Sequence, residues 1–135
     1  MFEWNDELSV KVDSIDAQHQ NLLALMRQFA ETSIEQADAS RLVLNQLVEA
    51  TVQHFKFEEN KFTSSDYPNV EKHLRIHENL LGKLNEFAQM AQKDLTDELK
   101  RHIVIFLEAW LIGHIREVDQ SYSKYVNANS RHASA

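Results

Sequence analysis

The sequence predicts an all-α protein, an antiparallel up-down-up-down four-helix bundle with an N-terminal extended segment. Three observations lead there. Only two glycines and one proline punctuate the 135 residues, a usage low enough to leave long helices uninterrupted. Apolar residues recur at three- and four-residue intervals in four separate stretches, the period of an amphipathic helix. The connections between those stretches are short, which makes neighbouring helices antiparallel. A chain of this length buries a real core, and with no internal repeat a single domain is expected over 1–135.

The first helix is expected over about 16–36, with Leu22, Met26 and Phe29 in phase. Ala37-Asp38-Ala39-Ser40 breaks the pattern and offers N-cap oxygens for a second helix over about 40–64. Its stripe runs through Leu44, Leu47, Thr51, Phe55 and Phe62. Ser64-Ser65-Asp66-Tyr67-Pro68-Asn69 is the clearest turn in the chain. A third helix over about 70–92 carries Leu80, Leu84, Phe87 and Ala91. Asp94 or Thr96 caps a fourth over about 96–116, whose apolar face holds Leu99, Ile103, Phe106, Trp110 and Leu111. Each spans roughly 20 residues, or about 30 Å. The stretch up to Ser14 precedes the bundle, and the tail 127–135 is expected to be disordered.

Composition removes several functions. A net charge of −7 argues against nucleic acid or an anionic membrane as partner. No apolar run approaches the ~18 residues of a spanning helix, so no membrane insertion is expected. Glu3, Asp6, Glu7 and Asp13 are incompatible with a signal peptide, and a cytoplasmic protein is expected. Cysteine is absent, which excludes disulfides and thiolate-bound metals and leaves nitrogen and oxygen donors.

Five of the seven histidines fall on apolar faces. His19 precedes Leu22 and Met26; His54 and Glu58 continue the stripe from Leu47 and Thr51; His73 and His77 lead into Leu80 and Leu84; His114 follows Ile103, Leu107 and Trp110. A single histidine on such a stripe is ordinarily a core residue bonded to a carbonyl. The set behaves differently. In an antiparallel bundle the starts of helices one and three share an end with the finishes of helices two and four. His19, His73 and His77 lie near starts, whereas His54 and Glu58 lie about 21 to 27 Å along helix two, with His114 far along helix four. All converge at one end, and buried imidazole and carboxylate groups require partners there.

The spacings His54/Glu58 and His73/His77 place both donors of each pair on one helix face, about 40° apart. Asp119 breaks that rule. Five residues beyond His114, it lies about 140° round a continuous helix and joins the cluster only if helix four ends or unwinds first. The polar stretch Arg116-Glu117-Val118-Asp119-Gln120 permits this, and a solvated surface aspartate is the alternative.

These residues resemble the bacterial hemerythrins. The resemblance rests on Ile15-Asp16-Ala17-Gln18-His19-Gln20, His54-Phe55-Lys56-Phe57-Glu58-Glu59, Tyr67-Pro68, His73-x-x-x-His77 and Trp110-Leu111-x-x-His114-Ile115-x-x-x-Asp119. It covers about Phe2 to Val126. Lys11 departs from the pattern, standing where a glycine is usual before the first helix. The resemblance implies two iron ions joined by a bridging oxo or hydroxo group. His73, His77 and His114 would bind one iron, His19 and His54 the other, and Glu58 and Asp119 would bridge them. The second iron then has one fewer protein ligand, and O2 would bind at the open position.

The implied function is reversible O2 binding by a carrier, store or scavenger, with no catalytic residues. An O2 or redox sensor acting through a separate partner and a di-iron oxidase or peroxidase are the alternatives. Imidazole and carboxylate suit iron. Trp110 and Leu111, one turn before His114, and Phe55 and Ile115, beside ligands, are candidates for the wall of the O2 pocket. Glu59, about 100° round the helix from Glu58, is expected to be solvated, and His102, about 18 Å along the axis from His114, to lie outside the cluster.

Overall fold

Four α-helices, and no strand, are found among the described residues. A computed structural model of the chain describes residues 4, 6–9, 13–64, 68 and 70–114. Helix α1 spans Asp13–Glu31, α2 Ala37–Ser64, α3 Val70–Lys93 and α4 Asp97–His114. Short 3₁₀ turns at Asp6–Leu8 and Ile34–Gln36 precede α1 and α2. No described helix is long and apolar enough to cross a membrane.

The first break lies earlier than the apolar spacing predicts, at Thr32–Ser33 and not at 37–40. The cause is local. Thr32 Oγ1 donates to the Gln28 carbonyl at 2.6 Å, so its side chain claims a helical acceptor. Ser33 adopts an extended backbone (φ −63°, ψ 143°) and its hydroxyl accepts from Glu35 N–H, capping the 3₁₀ turn that feeds α2. Asp38 and Ser40, read as caps from sequence, instead lie within the first turn of α2. Asp38 pairs there with Arg41 at 3.1 Å, and Ser40 is buried. For α4, Thr96 is the cap: its hydroxyl accepts from Leu99 N–H at 3.1 Å. Before α1, Ser9 Oγ donates to Asp16 at 2.6 Å, and Leu8 is buried in the preceding 3₁₀ turn.

The stripes read from the sequence meet in one core. Leu22, Met26 and Phe29 from α1 pack with Leu44, Leu47 and Phe55 of α2, Leu84, Phe87 and Ala91 of α3, and Leu99, Ile103, Leu107 and Trp110 of α4. Each such leucine, isoleucine, methionine or phenylalanine contributes roughly 1.5–3 kcal/mol through removal from water. Thr51, on the same face of α2, satisfies its buried hydroxyl by donating to the Leu47 carbonyl at 2.7 Å. The side chains of Phe62 and Leu111 lie outside the described residues.

Polar contacts tie helix ends together. Arg41 at the start of α2 donates through Nε to the Ala91 carbonyl near the end of α3, at 2.7 Å. Lys100 near the start of α4 donates to the Thr32 carbonyl just past α1 and lies 5.9 Å above the Phe29 ring. The opposite ends, where α1 and α3 begin and α2 and α4 finish, carry the histidines.

Candidate metal centre

Each helix delivers its donors by continuing its apolar stripe into one polar turn. His19 comes from the second turn of α1, His54 and Glu58 from the second half of α2, His73 and His77 from the start of α3, and His114 from the end of α4. All six are buried. Among the described residues they are the buried side chains with imidazole or charged groups. Burying them one by one would be strongly unfavourable; gathered at one place, they form a donor set for a cation.

Glu58 is at the centre. Its Oε1 contacts His54 Nε2 and lies 3.8 Å from His19 Nε2, while its Oε2 lies 3.7 Å from His73 Nε2. The donors accordingly form two groups that share this carboxylate, His19–His54–Glu58 and Glu58–His73–His77–His114. Within each group one ligand atom per residue lies within 4.8 Å of the others. The rings in each group are close, with His19 and His54 centroids 4.6 Å apart and His73 and His77 4.5 Å apart.

Two outer contacts orient the rings from behind. His54 Nδ1 lies 2.6 Å from Gln18 Oε1. His77 Nδ1 lies 3.3 Å from Glu59 Oε1. The reading of Glu59 as a solvated neighbour of Glu58 is corrected in part: its side chain is 34% exposed, yet it turns toward α3, and burial pushes its carboxyl pKa up, opposed by the nearby Lys56 charge. Sequence reasoning missed both Gln18 and Glu59 as contributors. Their adjacency to ligand positions was visible, but each partner sits on a different helix.

Phe55 stacks flat on His77, with centroids 3.7 Å apart and planes 2° from parallel. Trp110 meets Phe55 edge-on at 6.0 Å and lies 6.5 Å from His114. Both aromatics thus back the three-histidine group. Ile115 and Asp119 lie outside the described residues, as does the Leu111 side chain. His102 is exposed on α4.

The donor chemistry fits iron. Imidazole nitrogen with carboxylate oxygen and no thiolate suits iron, and the shared Glu58 gives each group a carboxylate oxygen of its own. Such a set also fits zinc, copper or nickel by ligand type alone.

The chain is similar to proteins of one family. The profile described as "Hemerythrin HHE cation binding domain" matches residues 10–126. The chain is 33% identical to the bacteriohemerythrin of Stenotrophomonas maltophilia over 130 residues, covering 93% of this chain and 82% of that one. It is 31% identical to the myohemerythrin of Riftia pachyptila, with 90% of each chain covered. It is 29% identical to the hemerythrin subunit alpha of Lingula anatina, over 90% of this chain and 92% of that one.

Proposed function

The chain belongs to the hemerythrin family, and on that premise we propose that it binds O2 reversibly at a non-haem di-iron centre, as a carrier, store or scavenger. In this reading His73, His77 and His114 hold one iron, His19 and His54 the other, and Glu58 bridges them, with Asp119 as second bridge. The four helices run up-down-up-down within a single domain over 1–135. The observation that carries the proposal is the placement of the two Glu58 oxygens, one toward each group of imidazoles.

An iron pair held by these residues would supply the two electrons that reversible O2 binding requires. The chain's own residues set the conditions. Five neutral imidazoles against two carboxylates make a donor set poor in negative charge, which leaves high oxidation states less stabilised and favours reversible binding over oxygen activation. Phe55 and Trp110 cover the three-histidine group with apolar rings, keeping water from that side. Among the described residues every buried imidazole or carboxylate belongs to the two donor groups. None is left over as a separate acid or base, which favours binding over catalysis.

Stopped-flow mixing of the reduced, iron-loaded protein with O2, followed by removal of the gas, tests this. Reversible appearance and loss of a visible charge-transfer band is expected. Irreversible oxidation coupled to turnover of an added substrate would assign the chain to an oxidase or peroxidase instead.

A further inference from the structure

Gln18 immediately precedes His19 on α1, yet its side chain serves a histidine of another helix. Its amide oxygen lies 2.6 Å from His54 Nδ1. A carbonyl oxygen only accepts, so the contact is a hydrogen bond in the tautomer that carries its proton on Nδ1, which leaves Nε2 with the free lone pair. Nε2 is the atom in contact with Glu58. The direction Gln18 occupies is also the one open to solvent. A cleft of about 540 Å³ between α1 and α2 is lined by Gln18, Asn21, Gln53, His54 and Lys56, and His54 itself is only 3% exposed. Without Gln18, water from that cleft would reach Nδ1 and the ring would lose its fixed orientation.

We propose that Gln18 is a positioning residue: its amide oxygen fixes the His54 ring so that Nε2 faces the shared Glu58 carboxylate in the donor-competent tautomer. The inference rests on the di-iron reading for what Nε2 then binds. Consecutive residues point about 100° apart on a helix, so α1 supplies one donor with His19 and holds the next with Gln18. The register of α1 against α2 thereby sets both nitrogens of the two-histidine group. The partner of His77 is a carboxylate, Glu59, whereas the partner of His54 is a neutral amide. A partner of greater negative charge raises ligand basicity and stabilises the ferric state, so the amide keeps His54 the weaker electron donor.

The test compares wild type, Gln18→Glu and Gln18→Leu as full-length chains. Iron affinity and midpoint potential are measured on the loaded proteins, and the protected His54 ring Nδ1–H resonance on the metal-free proteins. Gln18→Glu keeps an acceptor: it should retain iron and the protected resonance while the midpoint potential falls. Gln18→Leu should lose the resonance and bind iron 10–100-fold more weakly, the range typical of such outer contacts. An unchanged resonance in Gln18→Leu overturns the proposal, as does iron binding equal to wild type. Should wild type itself bind no iron, the di-iron reading fails, and the resonance alone still decides whether Gln18 holds His54.

Discussion

His77 and Glu59 meet between α3 and α2 with Nδ1 3.3 Å from Oε1, although Glu59 is one residue away from the carboxylate at the centre of the cluster. The two glutamates therefore hold different places. Glu58 lies between both groups of imidazoles, and Glu59 supports one ring from outside.

Substitution should separate them. Glu58→Ala removes the only described carboxylate common to both groups and should abolish paired iron binding. Glu59→Ala should weaken iron binding by about 10–100-fold, as loss of an outer hydrogen bond typically does, yet reach the same stoichiometry at saturation. Metal analysis across an iron titration reads the difference. Equal loss in both variants would mean that the helix-face assignment is wrong.

Phe55 should matter for stability and for the His77 ring together. It is 2% exposed and stacked on that ring, so Phe55→Ala should cost about 3–5 kcal/mol. Chemical denaturation of wild type and variant measures it. The iron-loaded variant should also autoxidise faster, because Phe55 lies against both the His54 and the His77 rings and its loss would let water into the shared centre. A destabilised variant that autoxidises at the wild-type rate would make Phe55 a packing residue only.

Much of this was legible in the sequence, for identifiable reasons. Four apolar stripes with almost no glycine or proline specify four helices, and the histidines are placed by the same periodicity. The first break was misplaced because apolar spacing cannot show that Thr32 and Ser33 turn their hydroxyls onto nearby backbone. Glu59 was misjudged because a residue's angle round its own helix does not reveal what a neighbouring helix brings near it. Gln18 was hidden for the same reason: its partner lies 36 positions away in the chain.

Iron retention should depend on pH. Ligand imidazoles bind metal only when neutral, so protons compete with iron. Retention should fail as pH falls far enough for protons to displace iron from the imidazoles. The metal-free chain should melt well below the iron-loaded one. Identical melting curves, or iron held unchanged at pH 4, would contradict this.

Lys100 offers a pH effect of another kind, remote from the cluster. Burial lowers its pKa, opposed by the charge of Asp97, so the unfolded chain holds that proton more tightly than the folded one. Stability should therefore rise as pH climbs between the lowered value and the ordinary lysine value, where the unfolded chain binds more protons. Lys100→Met should lack that rise. Because Lys100 is remote from the donor groups, the same substitution should leave metal binding unchanged. Denaturation curves over the alkaline range check the slope, and parallel curves for the two proteins would refute it.

The most direct test of the central claim is the number of irons bound per chain after anaerobic loading with ferrous iron. Two donor groups that share Glu58 predict two irons per chain, both lost together in Glu58→Ala. One metal per chain at saturation, or binding of zinc alone, would contradict the di-iron centre.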